Sequence, residues 1–244
     1  MKKENGVTLV ELMVVLFVGS LMLAAIYTAV NSAQRSSSGI ERRVIAQQDA
    51  RSALELMAME IRMASYNPNL MKNIWVSPTD CSPSGTQAYR GIQSATANSI
   101  TIEMDIDGSS SVGDHENEII TYSYDTANKY IWRETRRQGT CVDNHQPFLG
   151  AADANADTKT VLVVNNEPGI PVFRYYNGSG SGTDISDTVV SSPADITLGI
   201  PAIRRVEITL VVDTFYSDPG SGTRRRIIYS TSVIPRNHIP ILTY

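Results

Sequence analysis

The first 30 residues of the chain, MKKENGVTLVELMVVLFVGSLMLAAIYTAV (residues 1–30), decide how it can fold. Residues 12–30 carry no charge and are numerous enough for a helix to cross a bilayer hydrocarbon layer of about 30 Å. Glu11 stands at the edge of this apolar run. An ionised carboxylate in lipid is unfavourable by several kcal/mol, so it is normally paired or functional. The stretch therefore predicts a membrane-spanning helix that begins beside an acid with a specific role.

The charges around the run predict its orientation. Lys2 and Lys3 precede it, and the next cations follow only at Arg35, Arg42 and Arg43, so the short N-terminus is expected in the cytoplasm and the rest of the chain across the membrane. The alternative is a cleavable secretory signal that ends in LAAIYTA (23–29). A secretory signal explains neither Glu11 nor the glycine that separates the charged head from the apolar run.

KENG (3–6) followed by VTLVELMVVLFVGSLML (7–23) resembles the class III leader and first helix of type IV pilins and of the related pseudopilins of type II secretion. The resemblance implies that a prepilin peptidase cuts after Gly6 on the cytoplasmic side. It also implies that Val7 becomes the N-terminus and is N-methylated, although the family usually has Phe at this position. Glu11 would be the fifth residue of the mature chain.

Cleavage after Gly6 gives Glu11 a chemical role. The new α-amine on Val7 lies four residues, about one helical turn, before Glu11. The amine of an incoming subunit can pair with the Glu11 carboxylate of a neighbour, and each charge then offsets the unfavourable desolvation of the other. We therefore interpret Glu11 as an assembly residue. The alternative is a carboxylate that reaches back to the cytoplasmic headgroups.

Three later stretches resemble PilW-like minor pilins: AQQDARSALELMAMEIRMASYNP (46–68), IRRVEITLVVDT (203–214) and RRRIIYSTSVIPRNH (224–238). The resemblance implies a low-copy subunit that helps to initiate or cap a pilus. Its partners would be other major and minor pilins, the peptidase and methylase, and the assembly platform in the bacterial inner membrane. Two alternatives remain: a minor pseudopilin of type II secretion, and a membrane-anchored periplasmic binding or adhesion module.

The expected fold class is α+β. A leader (1–6) precedes one long helix (7–66), of which residues 8–30 span the membrane, and a β-rich domain (67–244) follows in the periplasm. The second half of the helix is amphipathic and should pack on the β domain, because apolar residues recur every three or four positions, with one interruption at Gln47. These are Ile40, Val44, Ala50, Leu54, Met57, Ile61 and Ala64.

Short runs with alternating apolar residues, separated by turn formers, predict antiparallel strands. The predicted strands are 99–104, 118–124, 129–135, 160–164, 171–176, 204–216 and 225–234. SDPGSG (217–222) predicts a hairpin turn between the last two, and DTANK (125–129) a turn between the second and third.

Two further features carry predictions. Cys81 and Cys141 lie among turn-forming residues without metal-site spacing and are expected to form a disulfide in an oxidising compartment, the alternative being two unrelated thiols. An acidic stretch matches positions 1, 3, 5, 7 and 12 of a calcium loop, although Ser110 replaces the usual glycine at position 6. The matching residues are Asp105, Asp107, Ser109, Ser111 and Glu116. The alternative is a plain acidic connection.

Other classes of protein fit poorly. The formal net charge of −4 argues against a nucleic-acid-binding surface. The sequence contains no nucleophile elbow, no HExxH motif, no P-loop and no dinucleotide-binding fingerprint, so we expect a structural subunit that needs no cofactor.

Overall fold

The structure, a computed structural model, describes residues 6–76, 90–138, 144–150, 160–178, 182–217 and 222–238. The side chains of residues 144 and 145 are not described. One long helix is followed by two antiparallel sheets, so the predicted α+β class is confirmed.

Helix α1 runs from Leu9 to Met63 without a break. Its first half is bare: the large apolar side chains from Leu9 to Val30 are exposed. Among the described residues, α1 is the one helix that is long and apolar enough to cross a membrane. Burial begins at Ala46, and the helix ends before Ser65, whose φ of 66° leaves the helical region.

The second half of α1 is the cover of the β domain, as its apolar periodicity predicts. Ala50, Leu54, Met57, Ile61 and Ala64 are all buried. The expectation that Ile40 and Val44 belong to this covered face is wrong, because both are more than half exposed. Burial of the helix begins two residues after Val44, at Ala46.

The first sheet is a meander of five antiparallel strands in sequence order. Its strands are β1 (Ile92–Ala95), β2 (Ser99–Glu103), β3 (Ile119–Asp125), β4 (Tyr130–Arg136) and β5 (Asn144–Leu149). Ile120, Tyr122 and Tyr124 share one buried face of β3, as their alternation predicts. The turn between β3 and β4 closes with a hydrogen bond from Lys129 N–H to the Asp125 carbonyl at 2.9 Å.

The second sheet is organised around its longest strand, β8. Its strands are β6 (Val161–Val163), β7 (Phe173–Tyr176), β8 (Arg205–Thr214) and β9 (Arg226–Val233). β8 pairs with β6 and β7 along one edge and with β9 along the other. A short helix, α2 (Ser186–Ser191), and a 3₁₀ turn (Ile200–Ala202) connect β7 to β8.

A half-buried charge cluster joins α1 to the first sheet. The Arg133 guanidinium on β4 donates two hydrogen bonds to the Glu60 carboxylate, at 2.9 and 3.2 Å, and the Tyr122 hydroxyl donates a third at 2.5 Å. Burial and the nearby carboxylate raise the pKa of Tyr122, so its hydroxyl remains a donor. The cluster fixes the helix against β3 and β4.

All seven predicted strands are present, and two strands are additional. β1 has four residues, IQSA, and β5, NHQPFL, contains a proline; both sequences lack the β-branched alternation that marks a strand. They form because they pair with the edges of β2 and β4. The predicted turn SDPGSG lies mostly outside the described residues.

Candidate assembly site

The predicted processing position lies at the exposed start of the structure. Gly6 and Val7 are exposed, and a Cβ built on Gly6 would meet nothing within 4 Å. Their backbone is not helical, since α1 begins only at Leu9. The predicted cleavage position therefore lies outside the helix, and cleavage after Gly6 stays a prediction.

Thr8 and Glu11 form a reciprocal cap on α1. The Glu11 N–H donates to Thr8 Oγ1 at 3.3 Å, and Glu11 Oε2 accepts from the Thr8 N–H at 3.2 Å. The Thr8 hydroxyl also contacts Glu11 Oε2 at 3.3 Å. The cap turns the carboxylate back toward Val7 and places its negative charge at the positive end of the helix dipole.

Sequence reasoning missed the part that Thr8 plays. The signal was present, because T-x-x-E before an apolar run is the signature of a capping box. Glu11 therefore caps its own helix. It also lies among apolar side chains that no other described residue covers. Its carboxylate is held beside the residue that would carry the new amine after cleavage.

The structure brings together part of the predicted calcium loop. Ligand oxygens of Asp105, Asp107 and Glu118 lie within 4.8 Å of one another. Glu116, by contrast, is exposed and pairs with Arg137 at 3.1 Å. Glu118 therefore takes the place in the cluster that the loop pattern gives to Glu116, because residues 105–118 do not follow an EF-hand turn.

Backbone groups satisfy much of this acidic cluster. Asp105 accepts from Gly108 N–H at 2.7 Å and Ser110 N–H at 3.0 Å. Glu118 accepts from Ile106, Gly113 and His115 N–H groups at 2.9 to 3.2 Å, while burial raises its pKa. The hydrogen bond from Ser109 N–H lowers the pKa of Asp107. These bonds suffice to order the loop, and calcium binding stays a prediction.

Cys81 and Cys141 both lie outside the described residues. Their pairing remains an expectation from composition and compartment alone.

Comparison with known proteins agrees with the N-terminal geometry. Residues 1–27 match the family model of the prokaryotic N-terminal methylation motif. None of the curated proteins matches the chain. A solved type IV-like pilin from Thermus thermophilus aligns with 11% identity over 79% of this chain and 96% of that chain, at a TM-score of 0.41.

The methylation motif coincides with the start of the long helix. The methylation motif covers Gly6, Val7 and Glu11, and it opens a long helix whose bare half fits membrane anchoring. The other half of the same helix covers antiparallel sheets. The chain thus carries the prokaryotic N-terminal methylation motif, over residues 1–27, at the start of a long helix that covers antiparallel sheets.

Proposed function

We propose that the chain is a minor type IV pilin, a low-copy subunit that helps to initiate or cap a pilus. The observation that carries the proposal is the capped carboxylate of Glu11, held next to the cleavage position on a helix whose surrounding apolar surface is bare. In a fibre of packed helices this apolar surface would be buried, and the Glu11 carboxylate would then need a partner of opposite charge.

The assignment to minor pilins is supported by the three stretches that resemble PilW-like proteins. In the structure they are the last part of α1, strand β8 and strand β9 with its following residues. These elements pack on each other, since α1 contacts both β8 and β9 and the two strands are paired. The resemblance therefore covers one continuous packing unit of the protein.

Assembly would work through an ion pair between subunits. Cleavage after Gly6 creates an amine on Val7, and in a fibre this amine meets the Glu11 carboxylate of the adjacent subunit. An unpaired charge among packed apolar helices is unfavourable by several kcal/mol, so only the register that pairs the two groups is stable. Glu11 then sets the axial position of each added subunit.

The proposed role as a minor pilin also implies the partners and the location of the chain. Prepilin peptidase, which also methylates Val7, would act on the cytoplasmic side, where Lys2 and Lys3 retain the N-terminus. The β domain would lie in the periplasm until the inner-membrane assembly platform adds the subunit to other pilins. A type II secretion pseudopilin would use Gly6, Val7 and Glu11 in the same way.

The decisive experiment compares Glu11→Ala with Glu41→Ala in cells that assemble pili. Both variants lose one exposed carboxylate of α1, but only Glu11 lies within one helical turn of the predicted new N-terminus. We expect both to be cleaved and membrane-bound, and only Glu11→Ala to be missing from sheared surface fibres. Normal incorporation of Glu11→Ala would refute the proposed ion pair.

Two further measurements separate the alternatives. Gly6→Trp should leave the chain uncleaved, which mass spectrometry of the purified protein can measure. If this variant is processed like the unmodified chain, a membrane-anchored binding module is favoured over any pilin. Deletion of the gene should remove surface pili; loss of exoprotein release with intact pili would instead identify a pseudopilin.

A further inference from the structure

In the described part of the chain, the outer edge of β9 is an open strand edge. Among the described residues, the eight-residue β9 pairs with β8 alone. Natural proteins protect edges by keeping them short or by adding charges, prolines or bulges. After the charged Arg226, the remaining residues of β9 (227–233) have none of these protections: their sequence is IIYSTSV and their pairing with β8 is regular.

The other sheet edges in the described part of the chain are protected. β1 has four residues and a bulge between Ile92 and Ser94. β5 contains Pro147, and its pairing with β4 shifts between Ile131 and Trp132. β6 and β7 have only three and four residues. The contrast sets β9 apart as the edge that can accept another strand.

The hydrogen-bond pattern shows which backbone groups β9 presents outward. Thr209 N–H donates to the Val172 carbonyl at 2.9 Å, on the β7 side of β8, whereas Thr214 N–H donates to the Arg225 carbonyl at 3.0 Å, on the β9 side. Even-numbered residues of β8 therefore bond to their odd-numbered partners in β9. The N–H and C=O groups of residues 228, 230 and 232 consequently point away from the sheet.

A groove beside this edge can receive the side chains of an added strand. It has a volume of about 370 Å³ and lies between the last turns of α1 and Thr231 on β9. Its floor is mostly apolar, with Leu54, Ala58 and the half-exposed Met59. Glu55 and Arg62, also from α1, bring one charge of each sign and leave the groove nearly neutral.

Cations at both ends of β9 indicate the chemistry of the occupant. Arg224 and Arg225 precede the strand, and Arg236 follows it; all three are exposed. Antiparallel pairing with a second copy would bring the first two close to the third, and like charges are unfavourable there. An incoming strand with carboxylates near its ends meets cations at each end instead.

We propose that the β9 edge binds an extended segment of a partner protein, apolar at alternate positions in its middle and acidic near its ends. The segment adds a strand to the second sheet through the outward backbone groups of residues 228, 230 and 232. It places alternate side chains in the groove against α1. This surface lies on the folded domain and does not depend on cleavage after Gly6 or on Glu11.

The test uses the full chain in detergent and a fluorescent peptide of three Val-Thr repeats flanked by two aspartates at each end. The matched variants are Ser230→Pro and Ser230→Ala. Both lose the Ser230 hydroxyl contacts with Thr209 at 3.0 Å and Glu207 at 3.4 Å. Only proline removes the outward N–H, and the β8 pairing does not use that group.

We expect Ser230→Pro to weaken peptide binding at least about tenfold and Ser230→Ala to leave it unchanged. Replacing the four aspartates by lysines should weaken binding by a similar factor. Equal binding by both variants, or by both peptides, would overturn the proposal. So would a dimer in light scattering that Ser230→Pro abolishes, because a second copy would then be the occupant.

Amide hydrogen exchange of the unmodified chain is the second measurement, and it applies even if Ser230→Pro misfolds. Added peptide should slow exchange at residues 228, 230 and 232, and unchanged exchange there would overturn the proposal. Because the chain is used uncleaved, these results are independent of the pilus experiments. The proposal for the β9 edge can be refuted while the assembly role of Glu11 is supported, and the assembly role can be refuted while the proposal for the β9 edge is supported.

Discussion

Glu60→Ala is expected to destabilise the folded domain by about 3 kcal/mol. The carboxylate accepts hydrogen bonds from Tyr122 and Arg133, and the side chains of the ion pair are only 13% and 19% exposed. Breaking a buried pair is unfavourable by about 3–5 kcal/mol. The residual exposure, and the second contact of Arg133 with Asn117 at 2.8 Å, place this site at the lower end of that range.

The assay is urea unfolding of the full chain in detergent, followed by tryptophan fluorescence, since Trp75 is buried in the folded domain. Glu55→Ala is the matched control: it removes a carboxylate from the same helix at an exposed position and should change the free energy of unfolding by less than about 0.5 kcal/mol. If Glu60→Ala gives as small a change as this control, the cluster does not hold the helix on the sheet.

Three other predictions concern the domain. Burial raises the pKa of the Glu103 carboxyl from 4.5 to about 8. The unfolded chain therefore releases this proton at a lower pH than the folded chain, and the stability of the fold should fall as the pH rises from about 4.5 to about 8. Glu103→Gln should make the melting temperature less dependent on pH in this range. Calcium should raise the melting temperature of the domain. Asp107→Asn should remove this rise, whereas Glu116→Gln should not, because Glu116 lies outside the acidic cluster. A melting temperature that responds neither to calcium nor to a chelator would contradict the site. Gly91→Ala should lower the free energy of unfolding in urea more than Gly169→Ala does. Both glycines have a positive φ, but only a Cβ on Gly91 would lie 2.5 Å from another backbone atom. Equal decreases in the free energy of unfolding would contradict this prediction.

Local patterns predicted most of the secondary structure. The long helix and the seven predicted strands were recognisable because their apolar residues repeat with the period of a helix or of a strand. Such a repeat depends only on residues that are close together in the sequence. β1 and β5 lacked that repeat and form only through pairing with a preformed edge. The same limit explains the calcium loop: spacing alone selected Glu116, whereas the fold turns Glu118 toward Asp105.

The sequence by itself determined the anchoring helix, the acid at its start and the alternation of the strands, because each depends on residues within a few positions of one another. Only the tertiary structure decided that Glu60 meets Arg133, that β8 lies at the centre of the second sheet, and that no described strand pairs with the outer edge of β9. Strand order and distant pairs depend on which surfaces can be buried together. That free energy belongs to the whole folded chain and to no single segment of it.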